Sequence, residues 1–174
     1  MIKYKNISTI DLSQYEKPVI PGNKNAVTRS VWYFINVLLF SNQLALLPSK
    51  AKAEILKIFG ARIGKYVVIK PSVSIKYPWF LNVGESVWLG EGVWIDNHTT
   101  VSIGKNCCIS QGVYIYTGNH DWNDEKFAFF CNPVRIGDGV WITAFQKIGP
   151  GGDVPSNVAV ISAQCCNEKN KEIK

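Results

Sequence analysis

A branched aliphatic residue returns at every sixth position through most of this chain. Ile63, Ile69 and Ile75, then Val83, Leu89 and Ile95, then Ile103, Ile109 and Ile115, and finally Ile136, Ile142, Ile148, Val154 and Val160 each open a six-residue unit. The fifth place of the unit is also small and apolar, as at Val67, Val73, Val87, Val93, Cys107, Val113, Val140 and Val158. A fixed period of this kind marks a repeat architecture. Six residues with one inward aliphatic suit a short strand followed by a tight turn. Three such units close one coil, coils hydrogen-bond along the axis at a spacing of ~4.8 Å, and the inward aliphatics stack into one continuous core. A β-sandwich would instead show period-two alternation over longer runs.

The spacing predicts more. Openers at 63, 83 and 103 are twenty apart, so each of these coils carries two extra residues at one corner; from 136 onward the sixes run without insertion. Gly follows the opener at 64, 84, 90, 104, 137 and 149, and is expected to serve corners that need unusual backbone angles. After Ile115 the beat resumes only at Ile136, so residues about 118–135 are expected to leave the coil as a loop. Upstream, residues 1–24 read as an extended arm, 25–47 as a helix stopped by Pro48, and 49–59 as a second helix with Ser49 as N-cap and Gly60 as its stop. The expected organisation is an N-terminal arm and helical segment over 1–60 and a β-helix over 61–174. The apolar 25–47 stretch is broken by Asn36, Ser41, Asn42 and Gln43. It is read as packed on the body, with peripheral membrane contact as the alternative.

A hydrophobic content of 47% against 18% charged residues excludes a disordered chain. The net charge of +6 favours anionic partners, with no further support for nucleic acid. Cys107, Cys108, Cys131, Cys165 and Cys166 show no zinc-like spacing and include two adjacent pairs, so they read as reduced residues of a cytoplasmic protein.

The stretches DLS at 11–13, FGARIGK at 59–65, YPW at 77–79, VWLGEGVWIDN at 87–97, ISQGVYIYTGNHDW at 109–122 and IGDGVWI at 136–142 resemble the hexapeptide-repeat acyltransferases. The likeness is to the colanic-acid (exopolysaccharide) biosynthesis acetyltransferase branch, related to maltose, galactoside and nodulation acetyltransferases. The resemblance implies an all-β fold, a left-handed parallel β-helix. It implies acetyl-CoA as co-substrate, no metal, O-acetyl transfer to a sugar hydroxyl in exopolysaccharide or other surface-glycan assembly, and a homotrimer with its active site between neighbouring prisms. The pantetheine arm would meet Thr143–Ala144 and Ser162–Ala163, with Lys147 toward the CoA phosphates. A different-class alternative is a non-catalytic β-helix acting as a scaffold. A γ-class carbonic anhydrase would need three histidine ligands, and the chain has two histidines.

Within the excursion, His120 is the candidate general base: an imidazole with an ordinary pKa of ~6.5 suits proton abstraction from a hydroxyl, and the family's catalytic histidine falls at this position. Asp121 is expected either to orient that ring or to solvate the loop. Asp96 and Asn97 stand one coil below Tyr116 and Thr117, beside the loop's root, as candidate acceptor contacts or as an Asp-Asn turn. Trp122, with Phe127, Phe129 and Phe130, is a candidate acceptor wall or subunit contact. His98 reads as a corner residue roughly 8 Å from His120 through the coil.

Overall fold

The computed structural model describes residues 9–42 and 47–161. An arm runs to Asn25, followed by α1 (Ala26–Ile35) and α2 (Ser49–Ile58). The first coil then carries β1 (Arg62–Ile63), β2 (Val68–Ile69) and β3 (Ser74–Ile75). The second carries β4 (Leu81–Val83), β5 (Trp88–Leu89) and β6 (Trp94–Asp96), and the third β7 (Val101–Ile103), β8 (Cys108–Ile109) and β9 (Tyr114–Tyr116). A hairpin of β10 (Gly118–His120) and β11 (Phe129–Cys131) departs from the third coil. The fourth coil follows with β12 (Val134–Ile136), β13 (Trp141–Ile142) and β14 (Lys147–Ile148), and β15 (Asp153–Val154) and β16 (Ala159–Val160) begin a fifth.

The strands form three parallel faces. One has the order β1-β4-β7-β12-β15, the next β2-β5-β8-β13-β16, and the third β3-β6-β9-β14. Register follows the openers: Ile63 pairs with Val83, Val83 with Ile103, Ile103 with Ile136 and Ile136 with Val154. Ile69, Ile75, Leu89, Ile95, Ile109, Ile115 and Ile142 are at most 2% exposed, and the fifth-place Val73, Val87, Val93, Val113 and Val140 are equally buried. Each such side chain contributes about 1.5–3 kcal/mol on leaving water. Parallel pairing between coils leaves no room for a sandwich, and the parallel β-helix expected from the period is what forms.

The corners correct one expectation. The glycines after the openers do not occupy left-handed backbone. They are there because neighbouring coils touch: a Cβ on Gly64 would lie 2.6 Å from the carbonyl of Gly84, and one on Gly84 2.7 Å from Lys105 N. The left-handed residue is at the fourth place instead. Tyr66, Ser72, Ser86, Gly92, Asn106, Gly112, Gly139, Phe145, Gly151 and Asn157 all sit there with φ from +55° to +78°. The coil therefore tolerates side chains at its turn but not beside its strand end.

The helices close the open end of the first coil. An edge strand presents unpaired N–H and C=O groups, and here side chains of the helical segment meet them. Trp32 Nε1 donates to Ile75 O at 2.8 Å, and Ile75 N donates to Asn36 Oδ1 at 3.1 Å. Ser49 Oγ donates to Ile69 O at 3.3 Å and accepts from Ile69 N at 2.9 Å, while Lys52 Nζ donates to Lys70 O at 3.2 Å. Ser49 is thus not the N-cap; Pro48 holds that position, and the serine hydroxyl is turned to the strand. Gly60, at φ +97°, ends α2 as expected: its N–H reaches Lys57 O and that of Ala61 reaches Leu56 O, the paired bonds of a left-handed helix stop.

The first helix is shorter than the sequence suggests. α1 gives way to one wide turn over Asn36–Phe40, closed by Ser41 N to Asn36 O at 2.8 Å. The physical reason is Asn36, whose amide is committed to β3 and to Ser41 Oγ. The helix packs on the body through Trp32, Asn36 and Phe40, all buried, while Val27, Val31, Phe34 and Leu38 on the other side are exposed. No helix among the described residues is long and apolar enough to cross a membrane.

Candidate active site

All three insertions fall at the corner between the third face and the first. In the first coil that corner is a single helical turn, Pro78–Phe80; in the third it opens into the β10–β11 hairpin. The excursion is therefore not an irregular loop. Gly118 pairs with Cys131, Asn119 with Phe130 and His120 with Phe129, antiparallel. Residues 134 and 135 already belong to β12, so the chain rejoins the prism earlier than the beat of the openers suggests.

Two buried side chains stitch this corner. Asn97, fully buried, accepts from Tyr77 N at 2.9 Å and donates to Tyr77 O at 2.7 Å. Its amide bridges to the coil below, and the side chain has no exposed surface for the acceptor contact expected of it. Thr117, one coil above, is also fully buried, and its hydroxyl oxygen accepts from His98 N at 2.8 Å and Thr99 N at 3.1 Å. The Thr117 carbonyl then accepts from Asn132 N at 2.8 Å and ties the returning end of the hairpin to its root.

His120 lies on the hairpin, half-buried, with its ring stacked on Phe127 at 4.1 Å and 5°. Tyr15 of the N-terminal arm meets it edge-on at 5.3 Å, and Phe129 does so at 5.3 Å. His120 Nδ1 is 2.7 Å from Phe127 O. A carbonyl oxygen only accepts, so Nδ1 carries a proton, and the neutral form of the ring has its lone pair on Nε2. That is the tautomer of a general base. The orienting group is therefore a peptide carbonyl and not Asp121. Asp121 is exposed at the hairpin tip, where Oδ1 accepts from Asn123 N at 2.8 Å, a side-chain turn. Trp122 stands at the same tip, 44% exposed.

Beside the hairpin sits a second cluster. Lys76 Nζ pairs with Asp96 Oδ1 at 2.7 Å and donates to His98 Nε2 at 2.8 Å. Burial, followed by the nearby Lys76 charge, lowers the His98 pKa from its ordinary value. The ring is thus neutral, with Nε2 as acceptor and the proton on Nδ1, a buried atom without a hydrogen-bond partner. The Phe129 ring lies 4.8 Å from His98 and so separates the two imidazoles; it also rests on Gly118, where a Cβ would collide with it. Asp96 Oδ2 accepts from Tyr114 OH at 3.2 Å, and burial together with the Asp96 charge pushes the Tyr114 pKa up to about 12. Asp96 is thus an internal ion-pair partner at the hairpin's root. Among the described residues no group of three His, Cys, Asp or Glu is placed to hold a metal ion.

The described residues assigned to the CoA arm lie on the fourth coil. Thr143 is buried and its hydroxyl donates to Val160 O at 2.8 Å, so it is a stitch between coils. Ala144 is half-buried at the corner between the second and third faces, and Lys147 is exposed on β14 beside Tyr114. Ser162 and Ala163 lie outside the described residues.

Sequence reasoning passed over Lys76, Tyr15 and the partnership of His98, and took Phe127 only as part of an aromatic wall. Lys76, Asp96 and Tyr116 share one column when the chain is written in rows of twenty, so the Lys76–Asp96 pair was readable there. The carbonyl of Phe127 and the contact of Tyr15 leave no such trace.

No family model matches the chain. It is 33% identical over 150 residues to the protein of Escherichia coli named as the colanic acid biosynthesis acetyltransferase WcaF, covering 86% of this chain and 82% of that relative. Among solved structures, the hexapeptide-repeat acetyltransferase of Vibrio cholerae superposes with a TM-score of 0.65 at 20% identity, over 77% of this chain and 85% of that one. A galactoside acetyltransferase solved in complex with coenzyme A gives 0.57 at 20% identity, over 83% and 84%. The two structures carry the fold, and the long sequence match carries the kinship: the chain belongs to the family of hexapeptide-repeat acetyltransferases that includes the colanic acid biosynthesis branch.

Proposed function

We propose that this protein moves the acetyl group of acetyl-CoA to a sugar hydroxyl, in the assembly of an exopolysaccharide or another surface glycan. The observation that carries the reading is the 2.7 Å bond from His120 Nδ1 to Phe127 O, which leaves Nε2 free to accept a proton. The colanic acid relative and the coenzyme A complex of the galactoside enzyme supply the reaction class and the co-substrate. His120 Nε2 takes the proton of the acceptor hydroxyl as its oxygen attacks the thioester carbonyl. The new C–O bond forms, the C–S bond breaks, and the imidazolium returns the proton to the departing thiolate. The stack on Phe127 and the edges of Tyr15 and Phe129 hold the ring in place and keep it partly dry. Ala144 and Lys147 remain the candidate contacts of the CoA arm. The geometry at His120 lends the scaffold alternative no support.

The working unit in this proposal is a homotrimer, for which the exposed Trp88 and Trp141 of the second face offer an apolar surface. The exposed side of α1 is the corresponding candidate for peripheral membrane contact, and the adjacent Cys107–Cys108 pair suits a reducing, cytoplasmic setting. Light scattering and vesicle co-sedimentation test the first two points. The reaction is tested by acetyl-CoA consumption across a panel of sugars, wild type against His120→Ala. Removal of a general base costs ~10²–10⁴-fold in rate, with acetyl-CoA binding retained by calorimetry. An unchanged rate sinks the assignment of His120.

A further inference from the structure

A cleft of ≈650 Å³ lies between α1 and the outer side of the third face, a volume in the ~300–1,000 Å³ range of small-molecule sites. Trp94 and Tyr33, both about half exposed or more, form flat walls on its two sides. Three cations line it, Lys17, Arg29 and Lys76, against the single carboxylate of Asp96. Lys76 is taken up by Asp96 at 2.7 Å. Neither Lys17 nor Arg29 has an ion-pair partner among the described residues. The cleft therefore holds two uncompensated positive charges inside a partly enclosed space, where a counter-charge is attracted most strongly.

A chain of side-chain contacts joins the cleft wall to the hairpin. Lys76 donates from its wall to His98, and the Phe129 ring contacts both His98 and His120. Lys17 is two residues along the arm from Tyr15, whose ring rests on His120. The Lys17 charge is felt at His98. A ligand anchored at the cations is thus held on the side of the molecule that carries the base.

Resting on the acetyl-transfer reading above, we infer that the acceptor is an anionic saccharide, its carboxylate or phosphate held by Arg29 and Lys17 while an aromatic wall meets the sugar ring. Arg29 suits either group, because a guanidinium donates two parallel hydrogen bonds to planar or tetrahedral oxyanions. A neutral sugar would leave both cations unmatched.

Calorimetry on the full chain tests this with matched sets in the gluco, galacto and manno series: methyl glycoside, uronate and sugar 1-phosphate. In at least one series the charged member is expected to bind ~10-fold or more tighter than its neutral parent, the worth of one charge-assisted hydrogen bond. Whether uronate or phosphate leads identifies the source of the charge. Arg29→Gln and Lys17→Gln should each shrink that advantage ~3–10-fold, with thermal midpoints showing that both variants are folded. Equal binding of charged and neutral members, no binding of any, or an advantage that survives the double variant overturns the inference. Charged preference without acetyl transfer from acetyl-CoA would instead sink the transferase reading and leave the cleft standing as an anionic-saccharide site. Transfer to neutral sugars without preference would do the reverse.

Discussion

Thr117 gives the sharpest test of how the hairpin is anchored. The residue is fully buried, and its hydroxyl oxygen accepts from two backbone donors, His98 N at 2.8 Å and Thr99 N at 3.1 Å. Thr117→Val keeps the shape and deletes the acceptor, leaving two N–H groups without a partner. Each costs about 1–3 kcal/mol when stranded, so the expected loss is ~2–6 kcal/mol of a total on the order of 5–15. For a domain of this size that is a fall in midpoint of about 4–24 °C. Thr117→Ser keeps the acceptor and removes one buried methyl, worth ~1 kcal/mol. If the residue mattered only by packing, the order would reverse, with Val the milder change. Thermal and urea unfolding by circular dichroism rank the two variants. A Val variant as stable as the Ser variant would falsify the view that hydrogen bonds hold this corner. Because the Thr117 hydroxyl anchors the root of the hairpin that carries His120, the Val variant should lose turnover at temperatures where it is still folded.

Other consequences follow from neighbouring features. Gly84→Ala places a Cβ 2.7 Å from Gly104 C and Lys105 N, both main chain; overpacking of this kind costs ~1–3 kcal/mol, and a urea midpoint equal to wild type would show that the coils can spread freely. Tyr66 is 81% exposed with φ +58°, so Tyr66→Gly exchanges left-handed strain for chain entropy and should raise stability by ~0.5–1 kcal/mol, read as a higher thermal midpoint; a lower one refutes it. His98 has its pKa depressed from 6.5 in the fold. The unfolded chain therefore takes up that proton first, and stability present above pH 6.5 is lost as the pH falls below it. His98→Asn should flatten that part of the pH–stability curve, and parallel curves for the two proteins would count against a buried neutral ring.

The fold was legible because its period is carried by side chains that must all face inward. Ile63, Val83 and Ile103 are twenty apart in sequence and adjacent in space. The site was legible at His120, where the beat breaks, and partly at Lys76 and Asp96, which share a column. The errors have a common cause: a polar side chain announces that it will bond, but not to what. Ser49 looked like a helix cap and serves Ile69. Asn97 looked free for a ligand and is spent on Tyr77. Asp121 stood next to the histidine in sequence, yet the ring's partner is Phe127 O, which any residue at 127 would supply. The glycines that follow the openers were expected at left-handed backbone and instead mark close approach to neighbouring groups.

The partner of the His120 ring belongs to the main chain, and that shapes how such an enzyme can change. No point substitution deletes a peptide oxygen. Drift at Phe127, Trp122 or Phe130 can recut the rim of the site while the proton stays on the same ring nitrogen. New acceptors become reachable by altering what surrounds the base, with the base itself left in working order throughout.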